Sequence, residues 1–506
     1  MILLIHPPVA KPSEPPAGIA RLSGMLRSLG VEHRLLDANI EGLLHLLRGP
    51  LPPENDRDTW TKRALRNLES NLRAMRDPIL YRNPDQYKRA VKDIGRVLTR
   101  ITPQGKMLSM ANYEDHGLTP LKSSHLITAA ERPELNPFYP YFRSRIEGLF
   151  SSRKPRVVGI SLNYLSQALA SFSMIGFIKR QFPGVKLVLG GGLVTSWMKN
   201  PAWKGPFSGL VDHTVAGPGE YPLLSLLGLP APEEKTPRPD YSSFSQEDYL
   251  SPGFILPYSA STGCYWNRCA FCPEKAEGNP YLSVPAQQVI QDLGALGQVT
   301  RPSLTHILDN AISPSLLNVL SENPIGVPWY GFARVSPLLA DPDFCMELKR
   351  SGCIMLKLGI ESGDQHVLDT LQKGMRLETA SVVLKNLRRA GIGTYAYLIF
   401  GTPEESERSA EKTLEFTVQH SDCIDFLNLA IFNMPVCKVH PPDVETRTFS
   451  EGDLSLYTDF VHPHGWDRRH VRLFLENRFR RHPAVAGILN NEPPVFTSNH
   501  APFFVK

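Results

Sequence analysis

Apolar residues follow two rhythms along this chain. Short apolar runs read as buried strands, and longer stretches with apolar positions every three or four residues read as amphipathic helices. "ILLI" opens as a strand, "GIARLSGMLRSLG" follows as a helix stopped at Gly30, and "EHRLLDA" returns as a strand. Over 41–150 the rhythm changes: Arg, Asn, Asp and Pro are frequent, and "DQYKRAVKDIGRVLTRI" keeps Val91, Ile94, Val97, Leu98 and Ile101 at helical spacing. This predicts a mostly helical insertion. Alternation resumes at 156 with "RVVGISL", "LASFSMIGFIKRQFPG", "VKLVLGGG" and "VDHTVAGPGEYPLLSLL". Strands alternating with helices at this spacing imply a parallel sheet with helices on both faces.

A proline-rich stretch over 229–257 predicts an extended connection. About six βα units then follow between 255 and 435, among them "LTHILDN", "WYGFARV", "IMLKLGIES", "GTYAYLIFGTPEE" and "DFLNLAIFNMP". The expected class is α/β, in four parts. A Rossmann/flavodoxin-like parallel sheet over 1–230 carries the helical insertion, and a linker covers 231–253. A partial (β/α)6 TIM-like barrel fills 254–436, and a helical C-terminal extension takes 437–506.

Composition narrows the function. Of 506 residues, 42% are hydrophobic and 21% charged, with a net charge of +5, which suits a globular chain of more than one domain. No Lys/Arg stripe stands out, so no nucleic-acid partner is expected. "MILLIHPP" lacks a basic flank and reads as a first strand, and no run reaches the ~18 apolar residues of a membrane span. The expected location is the cytoplasm, away from membranes.

The seven cysteines are unevenly placed: Cys264, Cys269 and Cys272 lie together in "GCYWNRCAFCPEK". In a reducing compartment such a trio points to metal or redox chemistry. Structural zinc takes four ligands, and an electron-transfer 4Fe–4S cluster takes four cysteines, so three leave one iron open to substrate. A closed zinc or iron site with a distant fourth ligand, Cys345 or Cys353, is the alternative. Cys345, Cys353, Cys423 and Cys437 otherwise read as buried small hydrophobes, with Cys437 nearest the end of the last barrel strand.

Three cysteines on the loop after the first barrel strand, with the aromatic of "AFC", resemble the radical S-adenosylmethionine superfamily. The spacing here is C-x4-C-x2-C, one residue longer than the commonest family spacing. The resemblance implies that Cys264, Cys269 and Cys272 ligate a 4Fe–4S cluster whose open iron chelates S-adenosylmethionine. One electron then cleaves its C–S bond. It further implies a ring of S-adenosylmethionine contacts at strand ends: Phe271, Asp309, Asn310, Arg334, Glu361, Ser362, Gly401 and Glu404. A reducing donor such as flavodoxin or ferredoxin is implied as a partner.

"HPPVAKPSEPPAGIARLSGMLRSLG", "VVGISL", "LVLGGG" and "VAGPGE" resemble the cobalamin-binding domain that precedes many such barrels. The implied cobalamin contacts are Ser13, Glu14, Pro15, Pro16, Ser161, Leu162, Asn163, Gly190, Gly191, Gly192, Gly217 and Gly219. No D-x-H-x-x-G motif is present, so the resemblance implies no histidine ligand to cobalt. Together the two resemblances imply reductive cleavage of S-adenosylmethionine and, with cobalamin bound, methyl transfer to an unactivated carbon of a small molecule or peptide. A non-methylating radical enzyme, performing rearrangement, ring contraction or C–S bond formation, and a cobalamin- or redox-sensing binding protein with a structural cluster stand as alternatives. No single residue reads as catalytic from the sequence.

Overall fold

The computed structural model describes residues 1–50, 58–231, 236–437, 444–447, 452–494 and 500–505. Part of the expected linker, 232–235, and much of 438–451 lie outside the described residues. Two compact units emerge. The first comprises Met1–Ile255, Ser450–Leu456 and Pro494–Phe496; the second comprises Leu256–Phe449, Tyr457–Pro493 and Thr497–Lys506.

The first unit is built on five parallel strands: β1 (Ile2–His6), β2 (His33–Asp37), β3 (Val157–Ser161), β4 (Lys186–Gly190) and β5 (His213–Thr214). Their spatial order is β2-β1-β3-β4-β5. Every residue of β1 is buried, as a central parallel strand covered on both faces requires. Chain direction across the sheet reverses between β1 and β3. At such a switch point the loops leaving adjacent strands diverge and open a crevice for ligands. Residues 38–50 and 58–152 are largely helical. The longest helix there, Pro84–Ile101, starts where Asn83 accepts the Gln86 N–H at 3.1 Å. It buries Val91, Ile94, Val97 and Leu98.

The second unit carries six strands: β6 (Ile255–Tyr258), β7 (Leu304–Ile307), β8 (Trp329–Ala333), β9 (Cys353–Glu361), β10 (Gly393–Phe400) and β11 (Phe426–Ile431). They stand in chain order, and β7 through β11 pair in parallel. Helices such as Pro342–Arg350 and Leu377–Ala390 connect them. The first begins at Asp341, whose carboxylate accepts the N–H groups of Asp343 and Phe344; the second ends at Gly391. One cation lies inside this sheet. Lys357 on β9 is 1% exposed, with Nζ 3.1 Å from His306 Nε2 and 5.0 Å from the Tyr330 ring.

The C-terminal extension differs from the helical expectation. It contributes antiparallel strands β13 (Thr446–Arg447) and β14 (Tyr457–Phe460), which join β12 (Met434–Pro435) just ahead of it in the order β12-β14-β13, before the helices Arg468–Phe474 and Pro483–Leu489. These strands run two to four residues, too short for their polarity to show a period. Among the described residues no helix is long and apolar enough to cross a membrane.

Candidate active site

The cysteine loop follows β6 at the carboxyl end of the second sheet. It is held by a segment the sequence did not flag, 371–374, which comes after the short helix Gln365–Thr370. The Ala270 N–H donates to the Leu371 carbonyl at 2.8 Å, and Trp266 Nε1 donates to the Gln372 carbonyl at 3.1 Å. Arg334 Nη2 donates to the Lys373 carbonyl. Gly374 then passes under the Trp266 ring with φ +67, and a Cβ there would lie 2.0 Å from Trp266 Cζ2. Only glycine combines that approach with that backbone conformation.

Arg334 sits at the centre of this arrangement. It is 9% exposed, its guanidinium lies 4.3 Å from the Trp266 ring centroid, and Nη1 points at Cys269 Sγ from 3.7 Å. It brings a fixed positive charge to the trio. Burial pushes the Cys272 thiol up, opposed by the Lys275 and Glu274 N–H groups; the Cys269 and Cys264 sulfurs add to the rise. Among the described residues no three His, Cys, Asp or Glu side chains converge on a point fit for one metal ion. A cubane cluster asks something different, because each thiolate ligates its own iron. Three soft thiols on one clamped loop beside a buried arginine fit that donor set.

The remaining strand-end residues have distinct surroundings. Asp309 is 2% exposed; it accepts from the Ala260 N–H at 2.7 Å, the Ser261 N–H at 3.1 Å and the Ser261 hydroxyl at 2.7 Å. Asp309 thus fixes the turn that leads into the cysteine loop. Asn310 Nδ2 donates to the Gly263 carbonyl at 3.2 Å and tethers the same loop. Ser362 is fully buried and accepts from the Asp364 N–H, so it offers no side chain to a ligand. Glu361 has φ +65 and pairs with Lys373 at 2.6 Å. Phe271 packs against the apolar cluster of Phe432, Met434 and Val444. Glu404 Oε2 is buried without a hydrogen-bond partner among the described residues, an acceptor open to a ligand's donor.

Two side chains absent from the sequence reading support this end of the sheet. Lys373 forms the buried pair just described. Replacing Lys373 with Met leaves the Glu361 carboxylate buried and unpaired, which is expected to cost ~3–5 kcal/mol in a thermal or denaturant unfolding experiment. Removing both charges should recover most of that loss. Glu405 is fully buried; its Oε2 accepts from the Gly401 N–H and from Trp466 Nε1, the latter at 2.9 Å. Burial, only partly offset by these two donors, raises its pKa from 4.5 to about 7. The folded chain thus keeps a proton that the unfolded chain releases near 4.5. This contribution to stability is full below about 4.5 and is lost as pH rises through about 7. Glu405→Gln should flatten the fall in melting temperature across that window. An unchanged slope would mean Glu405 is already ionised in the fold.

In the first unit, the loops at the carboxyl ends of β1, β3 and β4 are tied together by side chains. Gln167 Oε1 accepts from the Asn163 and Tyr164 N–H groups at 3.0 and 3.1 Å, and its Nε2 donates to the Pro7 carbonyl at 2.7 Å. Asn163 Oδ1 accepts the Gly192 N–H at 3.0 Å, while its Nδ2 reaches the Ser161 carbonyl. Gly191 is obligatory, since its φ is +110 and a Cβ would lie 2.4 Å from the Leu162 carbonyl oxygen. Glu14, Pro16, Ser161, Asn163, Gly190, Gly191, Gly192, Gly217 and Gly219 keep surface at this edge. Pro15 is buried, and Ser13 and Leu162 are wholly so, and they present no side chain to a ligand there. Bare glycine turns at a switch point fit a large planar cofactor approaching the backbone.

No family model matches the chain. Over 314 residues, 54% of this chain, it is 23% identical to an uncharacterized methyltransferase of Pyrococcus horikoshii. Over 224 residues, 42% of this chain, it is 30% identical to bacteriochlorophyllide d C-12(1)-methyltransferase of Chlorobaculum tepidum. The aligned stretches span 66% and 45% of those two relatives. Among solved structures, a radical S-adenosylmethionine methyltransferase of Kitasatospora setae, with cobalamin and a [4Fe-4S] cluster bound, superimposes with a TM-score of 0.56 at 15% identity. That superposition covers 97% of this chain and 91% of the other.

Proposed function

We propose that this chain, which has the fold of cobalamin-dependent radical S-adenosylmethionine methyltransferases, is an enzyme of that kind. It would use a 4Fe–4S cluster and cobalamin to methylate an unactivated carbon. The observation that carries the reading is the clamped loop of Cys264, Cys269 and Cys272 at the carboxyl end of six strands in chain order. We read that sheet as a partial (β/α)6 barrel. The domain limits follow the sequence reading: a cobalamin-binding-type domain over 1–230, the barrel over 254–436 and an extension beyond it.

When bound, the cluster supplies the electron that cleaves S-adenosylmethionine, and cobalamin supplies the methyl carrier. The chain's own residues do the rest. Cys264, Cys269 and Cys272 would hold the cluster, and Arg334, 3.7 Å from Cys269 Sγ, would offset its negative charge. Asp309 and Asn310 set the loop's entry. Glu361, Gly401 and Glu404 would contact S-adenosylmethionine, a reading supported by the buried Glu404 Oε2, unpartnered among the described residues, which could accept from its amino group. Phe271 closes the apolar side and keeps water from the reacting atoms. Glu14, Pro16, Ser161, Asn163 and the glycines at 190–192, 217 and 219 would line the cobalamin crevice.

The test is product formation. Protein reconstituted without oxygen and reduced with dithionite should convert S-adenosylmethionine to 5′-deoxyadenosine. Absence of that nucleoside from cluster-loaded protein would overturn the reading.

A further inference from the structure

A pocket of about 510 Å3 lies within the second unit, at the carboxyl ends of β10 and β11. Its floor is apolar, from Ile431, Phe432, Met434 and Phe460. Phe271 of the cysteine loop packs on that same apolar cluster, so the floor is continuous with the loop that would carry the cluster. The loop over 462–466 forms another wall. It is anchored by His462 Nε2 donating to the Thr402 carbonyl at 2.8 Å and by the Trp466–Glu405 bond.

The rim carries charge of both signs, and the two signs are used differently. Asp467 caps the helix Arg468–Phe474, accepts from the Arg469 and His470 N–H groups, and pairs with the His470 ring at 2.9 Å. Asp459 stands opposite Arg447 in the β13–β14 register, and Arg447 also approaches Glu445 at 3.6 Å. Arg468 and Arg469 have no acidic partner among the described residues. Arg468 is held instead by a neutral acceptor, Asn433 Oδ1 at 2.5 Å, one residue beyond the end of the Phe432 floor. Asn433 orients the guanidinium without cancelling its charge.

We propose that this pocket binds the methyl-accepting substrate and that the substrate is a small amphiphilic carboxylate. Its apolar body lies on Ile431 and Phe460, which keep surface in the pocket, and its anionic end meets Arg468 and Arg469. This rests on the function proposed above. The volume suits a small molecule, within the range of about 300–1,000 Å3 of such sites. An arginine fork matches a carboxylate bidentately.

The probes are 1-naphthoate and its neutral counterpart 1-naphthamide, titrated into anaerobically reconstituted protein by calorimetry. Naphthoate should bind at least ~10-fold tighter than the amide, because a charge-assisted pair is lost with the amide. Arg468→Gln with Arg469→Gln should erase that preference. Asn433→Asp, which hands Arg468 an acidic partner, should reduce it several-fold and serves if the double variant does not fold. Equal affinity for the two probes, or a preference that survives both variants, overturns the proposal. The two readings fail separately: 5′-deoxyadenosine formation by the unaltered protein tests the enzyme, and the naphthoate preference tests the pocket.

Discussion

Cys269→Ala is expected to abolish cluster binding and 5′-deoxyadenosine formation while leaving both sheets folded. Of the trio Cys269 is the most buried, at 9% exposure, and it is the one Arg334 faces. Removing its sulfur leaves two ligands on a loop whose arginine then lacks its sulfur neighbour. Iron retained after desalting should fall to background, and the visible absorption of the reconstituted protein should vanish. The contrast is with Cys345→Ala and Cys353→Ala. Cys345 donates its thiol to the Leu339 carbonyl at 3.2 Å, and burial pushes its pKa up to about 11. Cys353 is fully buried, and burial pushes its thiol up as well. Thiols held protonated in apolar surroundings neither attack nor ligate. These two variants should keep their iron and lose only the modest stability of a filled core position. Iron lost equally from all three would point to general unfolding.

Gly374→Ala is expected to have the second largest effect, although Gly374 is no ligand. A methyl group there collides with the Trp266 ring at 2.0 Å, and φ +67 adds backbone strain of about 1–3 kcal/mol for any other residue. The ring cannot swing away cheaply. It is fixed by its bond to the Gln372 carbonyl at 3.1 Å and by Arg334 stacked 4.3 Å above it. The collision therefore displaces the cysteine loop. Iron occupancy should fall by more than half, and the circular dichroism of the fold should persist. Gly297→Ala is the control: nothing lies within 4 Å of that Cβ in the helix Ala286–Thr300, so it should keep its iron and gain slightly in stability. Full iron occupancy in Gly374→Ala would show that the 371–374 segment does not hold the loop.

The parallel α/β architecture was legible because buried strands and amphipathic helices differ in period. Ile2–His6 and Cys353–Glu361 are apolar runs with no polar face to disguise them. The strand-end positions of Glu361 and Gly401 were legible for the same reason: Glu361 ends such a run and Gly401 directly follows one. The clamp was not. Gln372, Lys373 and Gly374 belong to no motif, and their role depends on contacts with Trp266 and Arg334, 106 and 39 residues away along the chain. Nor could the sequence separate side chains that end a strand and face a ligand from those consumed within the fold. Asp309, Ser362 and Ser13 are of the second kind, and only their burial and partners reveal it. Lys357 shows the converse, a charge hidden inside a strand that its neighbours make apolar, lodged against an imidazole and an aromatic ring.

The most direct test of the account is a metal count. The protein is reconstituted without oxygen with iron, sulfide and hydroxocobalamin, then desalted, and iron and cobalt are measured per chain. The account predicts about four irons, as one cubane requires, together with about one cobalt. A single tightly held metal ion at the trio, or cobalt that washes out entirely, would contradict it.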